Sequence, residues 1–409
     1  MHAIPELLPS AGTPEFGGER LAYHSIAELV ADRAPDHSVV CLRPAAVEAA
    51  ARHLTSLFPG DVLYAVKCNP HPRVLQALYR GGVRHFDTAS LAEVKLVRGL
   101  LGRQAAAYFN HPVKARAAIA EASERHGVRH FVVDSEGELH KVAETASGPF
   151  EIAVRMATPP GEAVQHMSSK FGASPAEAAQ LLRTAAAMGL PVGIAFHVGS
   201  QCRDPNDYAR ALGLAAQVRD TAGVPVGTIN VGGGFPAWYL GDDVPPLEAF
   251  TDRIAEGVRE FGFDDSRLQC EPGRALVASG GSILTQVQLR KGRALYINDG
   301  IFGNLCEMVY LKLRLPLRTH RAGGGGLPGP DSEFTLFGPT CDPVDVLPGV
   351  WALPEGIQEG DWIEFGQIGA YSSAIATSFN GFTSEAIVDV AEQPFWPGQR
   401  AAGEHLRIA

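Results

Sequence analysis

The 409-residue sequence has no CxxC pair, no run of about 18 uncharged apolar residues, and no excess of basic side chains. Without paired cysteines, the six scattered thiols (Cys41, Cys68, Cys202, Cys270, Cys306, Cys341) build neither a zinc site nor a dithiol redox centre. Without a long apolar stretch, no membrane span is expected. The 45 acidic residues outnumber 35 basic ones, for a net charge of −10, which argues against a nucleic-acid partner. Met1 to Ser10 carry neither a basic segment nor an apolar one in the manner of a secretory signal, and scattered thiols in a chain this long point to the cytoplasm.

What is present is a large core. Apolar residues are 45% of the chain and charged residues 20%, and the 45 glycines and 29 prolines are dispersed, unlike a collagenous or disordered chain. From residue 37 to 275 short apolar runs alternate with helical patterns. Val39–Leu42 reads as a strand, and Pro44 then opens a helix with Val47, Ala50, Leu54 and Leu57 on one face. Further strands are expected at 62–66, 85–86, 106–109, 131–133, 152–156, 192–196, 228–231 and 268–270. Ser90 with Glu93, and Ser174 with Pro175 and Glu177, read as helix starts. Some eight βα units in succession predict a closed (β/α)8 barrel of the TIM type over 37–275, with chemistry at the C-terminal strand ends. After Gly273 the period changes to two, from Ile283 to Arg290, and strands follow at 294–297, 334–337 and 362–365. Residues 276–409, joined by 1–36, are therefore expected to form a second, all-β domain of barrel or sandwich type.

Chemistry-bearing residues sit at the strand ends. Lys67 follows Leu63–Val66, where partial desolvation at the barrel mouth favours Schiff-base chemistry, although a strand-end lysine taken alone is more often a snorkelling side chain. His197 follows Val192–Phe196, with Gly199 and Ser200 permitting close backbone approach beyond it. Gly232, Gly233 and Gly234 form a phosphate nest or an ordinary loop, matching no nucleotide motif. Glu271, Gly273 and Arg274 end the last barrel strand, where a carboxylate suits a protonated ring nitrogen and a guanidinium suits an anion. In the second half, Cys341 and Asp342 share a turn, and Tyr371 follows Gly369-Ala370. Buried, inert side chains would explain the last three equally well.

Taken together, YAVKCNP (64–70), FDTAS (86–90), HVGSQ (197–201), GGGFP (232–236), EPGR (271–274), NDG (298–300), GPTCDPVD (338–345) and GAYSSAIATSFNGF (369–382) are similar in order and spacing to the ornithine/diaminopimelate/arginine decarboxylase superfamily. These are fold-type III enzymes dependent on pyridoxal 5'-phosphate (PLP). The resemblance implies that Lys67 carries PLP, His197 stacks on its ring and Glu271 pairs with the ring nitrogen. It assigns the phosphate to Ser200, Gly234, Arg274 and Tyr371, counts Gly233 and Gly273 among the cofactor-binding residues, and places Asp87 and Arg155 near the lysine and the ring hydroxyl. Cys341 becomes the proton donor to Cα and Asp342 the partner of a distal ammonium, both supplied by the neighbouring subunit of a homodimer with shared sites. Lys170 and Asp345 fall where such enzymes form an inter-subunit ion pair.

One departure bears on substrate. Tyr310 matches the animal pattern in the substrate-binding segment, but Leu311 stands where an aspartate is usual, and Glu307 is expected to help Asp342 receive the distal ammonium. The implied reaction is decarboxylation of a basic L-amino acid, ornithine to putrescine with lysine to cadaverine beside it. The alternatives are another amino acid such as diaminopimelate, or an inactive binding protein resembling antizyme inhibitors. Retention of Lys67, His197, Glu271, Arg274 and Cys341 speaks against the last, and Glu271 and Cys341 speak against an alanine-racemase-like enzyme.

Overall fold

The computed structural model describes residues 22–395, apart from His166, Ser168 and Glu385; the remainder of 1–36 and of the C-terminal stretch lies outside the described residues. Eight parallel strands close into a barrel: Asp61–Ala65, His85–Thr88, Ala106–Phe109, His130–Val133, Glu151–Arg155, Val192–Ala195, Thr228–Asn230 and Arg267–Cys270, the last pairing back onto the first. All eight fall on apolar runs expected as strands. Helices on the outside bury one apolar stripe each. Pro72–Arg80 seats Val74, Leu75, Ala77 and Leu78 against the barrel, and each fully buried leucine contributes roughly 1.5–3 kcal/mol. Pro175–Ala187 starts on the expected capping box of Ser174 and Glu177. At Ser90 only half of the box forms: its hydroxyl accepts from Glu93 N–H, while the Glu93 carboxylate reaches one residue further back, to Ala89 N–H.

The second domain is a nine-stranded mixed sheet. Its spine runs Ala22–Tyr23, Ala386–Val390, Val39–Leu42, Gly281–Lys291, Ala294–Ile297, Asp331–Phe337, Trp351–Pro354, with Trp362–Phe365 also paired to Gly281–Lys291 and Leu317–His320 added beyond it. Val39–Leu42 thus differs from its expected place: it is a strand of this sheet, antiparallel to Gly281–Lys291 and parallel to Ala386–Val390. All four of its residues are buried, and a strand buried on both faces reads alike in a barrel or a central sheet position. Gly281–Lys291 also departs from simple alternation. Its first five residues are all buried because it is the central strand, flanked by three others. No helix among the described residues is long and apolar enough to cross a membrane.

Candidate active site

The backbone around Lys67 is tied down on both sides. A single 3-10 turn, Val66–Cys68, follows the first barrel strand. Ala65 N–H donates to Pro272 O at 3.1 Å, and Tyr371 N–H donates to Cys68 O at 2.8 Å. Asn69 Nδ2 reaches Gly369 O at 2.9 Å, while the Tyr64 hydroxyl donates to Asn69 O at 3.1 Å. The lysine is thereby clamped between the last barrel strand and the second domain. Lys67 itself is exposed, whereas partial desolvation was expected.

Glu271 is held by two amides that sequence reasoning missed. Asn110 Nδ2 and Asn230 Nδ2 both donate to its Oε1, at 2.7 and 2.8 Å. Asn230 is itself oriented by Gly232 N–H, which donates to its Oδ1 at 2.9 Å. Among the described residues, Oε2 takes no hydrogen bond, so the carboxylate presents one oxygen to the mouth. Asn110 follows the strand Ala106–Phe109 and Asn230 ends the strand Thr228–Asn230. The strand-end rule that singled out Lys67 would have found them.

His197 Nε2 and the Glu271 backbone carbonyl both close on Gly233. Gly199 N–H donates to His197 Nδ1 at 3.0 Å, which puts the ring proton of the neutral imidazole on Nε2. Burial, then the charges of Arg155 and Lys67, hold its pKa well below the ordinary value, so the ring is neutral. A Cβ on Gly233 would stand 2.9 Å from Nε2 and 2.6 Å from Glu271 O, so only glycine leaves the ring edge free. Asp87 is buried at the end of the second strand. Burial first, and then the charge of Glu271, push its carboxyl well up, with Lys67 opposing. Arg155 ends the fifth strand, 5.6 Å from the Phe171 ring centroid; burial draws its pKa down, with Glu271, Asp134 and Asp87 opposing.

An anion cradle adjoins the lysine. The backbone N–H groups of Gly233, Gly234 and Gly273 donate to nothing among the described residues. Gly232 and Gly234 have φ of 70° and 108°, and a Cβ on Gly232 would overlap Phe196 O. Ser200 opens the short strand Ser200–Cys202 beside them. Arg274 is buried, Nη1 donating to the Tyr239 hydroxyl at 2.8 Å and Nη2 to Glu307 Oε2 at 2.6 Å, while Nε is buried without a partner. Burial opposes its charge, but Tyr239, Glu307, Cys68 and Tyr371 raise its pKa. Tyr371, in the left-handed region with φ 58°, sets its ring 5.1 Å from the Arg274 guanidinium, and burial pushes its phenol well up. Free N–H groups, a hydroxyl and a guanidinium with an orphaned donor fit a phosphate dianion. Together with Lys67, the open oxygen of Glu271 and the neutral His197, they fit the whole of PLP.

Other expected residues are not brought to this mouth within one chain. Cys341 is exposed and, with Asp342, lines a separate cavity of about 750 Å³ beside His37, Tyr296 and Phe382. Its turn is fixed by Asn380 Oδ1 accepting from Cys341 N–H and by Asp342 Oδ1 accepting from Val344 N–H. Tyr310 is 70% exposed, and Leu311 is buried. Glu307, expected at a distal ammonium, is engaged instead with Arg274 at the cradle. Asp345 is 2% exposed and accepts from Ile301 N–H, Thr340 N–H and the Thr340 hydroxyl, so it holds its own turn. Tyr239, a partner of Arg274, carried no sequence signal.

Residues 45–278 match the family described as pyridoxal-dependent decarboxylase, pyridoxal binding domain. The chain is 32% identical over 385 residues to ornithine decarboxylase of Cricetulus griseus, covering 87% of this chain and 81% of that protein. It is also 32% identical over 351 residues to lysine/ornithine decarboxylase of Selenomonas ruminantium, covering 84% and 86%. The crystal structure of arginine decarboxylase from Paramecium bursaria Chlorella virus, bound to agmatine, superposes with a TM-score of 0.80 at 29% identity, over 88% of this chain and 98% of that one. By sequence and by shape, the chain belongs to the pyridoxal-dependent decarboxylases that act on basic amino acids of the ornithine, lysine and arginine type, with PLP as cofactor.

Proposed function

We propose that the enzyme decarboxylates L-ornithine to putrescine and CO2, with L-lysine to cadaverine as its second substrate. The observation that carries the chemistry is the Glu271 carboxylate, with Oε1 saturated by Asn110 and Asn230 and Oε2 left for a ring N–H. Bound PLP supplies an electron sink for the bond between Cα and the carboxylate. Glu271 would keep a ring nitrogen protonated, which would strengthen that sink. Lys67 would hold the cofactor through its amine, the neutral His197 would pack against it, and Asp87 and Arg155 would lie near the lysine end of the site. Ser200, Gly233, Gly234, Gly273, Arg274 and Tyr371 would hold the phosphate. Cys341 Sγ would supply the proton that replaces CO2 at Cα, and Asp342 would meet the distal ammonium, since a desolvated cation requires a carboxylate.

A homodimer in the cytoplasm follows from this reading. Cys341 and Asp342 sit on an exposed loop away from their own barrel mouth, so a second copy must deliver them. Val309, Val344, Phe379 and Phe382 are 41–57% exposed, with Tyr310 more so, which is an apolar surface suited to burial against that copy. Names of relatives favour ornithine and lysine. The test is CO2 release from ornithine, lysine, arginine and diaminopimelate. The highest kcat/KM is expected for ornithine; a clear preference for arginine or diaminopimelate would overturn the substrate assignment.

A further inference from the structure

The Arg274–Glu307 pair stands at the cofactor end of the site, and its chemistry is unusual for an anion cradle. The Arg274 side chain is 4% exposed and that of Glu307 13%, and they meet at 2.6 Å. Glu307 is not a mobile surface acid. It opens the four-residue helix Glu307–Tyr310, with buried Leu305 and Met308 beside it. The turn before it is locked by Asp299, whose Oδ1 accepts from Gly300 N–H and Asn304 N–H, each at 2.8 Å, and whose Oδ2 accepts from Asn304 Nδ2 at 2.8 Å. The fold therefore aims a fixed carboxylate at the guanidinium that is to grip a phosphate. A buried cation shared between a carboxylate and a dianion binds each less strongly than it would bind one alone, and the two anions repel.

We propose that Glu307 tempers the hold of Arg274 on the cofactor phosphate, an affinity-setting positioning residue in place of a ligand for the substrate's distal ammonium. The proposal rests on the reading above, in which Arg274 belongs to the phosphate set. Glu307→Gln isolates the charge, because glutamine has the same length and its amide oxygen still accepts from Arg274 Nη2. A residue that merely oriented Arg274 would lose cofactor affinity when altered; a tempering residue gains it. The sign separates the two.

The experiment uses the full-length chain, freed of cofactor with a carbonyl reagent and retitrated with PLP by visible absorbance. Glu307→Gln should bind PLP about tenfold more tightly, equivalent to about 1.4 kcal/mol, and inorganic phosphate should compete better in the same proportion. The KM for ornithine or lysine should stay within about twofold of the parent. Glu307→Asp, which withdraws the carboxylate by one methylene but keeps its charge, should tighten PLP by a smaller factor and serves if the glutamine variant fails to fold. Unchanged or weaker PLP binding, or a raised KM with PLP affinity unaltered, overturns the proposal and leaves the decarboxylase intact. Failure of the parent chain to take up PLP overturns both.

Discussion

Removing one of the two amides that hold Glu271 tests whether this carboxylate drives the chemistry. Asn230 donates to Glu271 Oε1 at 2.8 Å and Asn110 at 2.7 Å. A hydrogen bond to a charged acceptor contributes about 1.5–3 kcal/mol. If the ring nitrogen leans on Glu271 most at the moment the bond to CO2 breaks, that energy comes off the rate and not off binding. Asn230→Ala and Asn110→Ala should each lower kcat by about 10- to 100-fold at saturating PLP, with KM nearly unchanged. Asn230→Ala should be the more severe, because it also strips the partner of Gly232 N–H at the head of the glycine loop. Both amides serve the same oxygen, so the double variant should depart from additivity by about 0.5–3 kcal/mol. The assay is steady-state CO2 release with PLP occupancy followed by absorbance. A kcat within about threefold of the parent in both single variants would refute the reasoning.

Three further outcomes are expected. Mixing inactive Lys67→Ala and Cys341→Ala chains under exchanging conditions should restore about a quarter of the parent activity, since half of random dimers are mixed and each carries one intact site; demonstrated exchange without recovery would exclude shared sites. His71 caps the helix Pro72–Arg80 through Nδ1, and burial, then Arg73, lower its pKa to about 4, against Asp389. Its folded-state pKa lies below the unfolded one, so stability is complete above about 6.5 and falls as pH drops toward 4. His71→Asn keeps a capping acceptor without titrating, and thermal unfolding across that range should show a flatter acid limb. Gly232→Ala, with φ 70° and a Cβ overlapping Phe196 O, should destabilise the chain by roughly 1–3 kcal/mol or more and weaken PLP retention, read by denaturant melts and dialysis.

The barrel was legible because its signals are local. Each strand is a short apolar run, each helix repeats at 3.6 residues, and caps such as Ser174 to Glu177 act within one turn. Strand-end positions likewise marked Lys67, His197 and Glu271, and the barrel brings all three to one mouth. Partners distant in sequence were not legible. Val39–Leu42 owes its place to Gly281–Lys291 and Ala386–Val390, hundreds of residues away, and nothing in four buried apolar residues says which sheet takes them. Asn110 and Asn230 become meaningful only when both meet Glu271, and Glu307 only when Arg274 stands at 2.6 Å. Residue order determined the barrel, the cofactor and the chemical type, since periodicity and motif spacing are properties of the chain itself. Which oxygen each amide holds, which cation each carboxylate meets, and that Cys341 lines a cavity of the second domain were decided by packing, because hydrogen bonds and ion pairs depend on distances that only the folded chain creates.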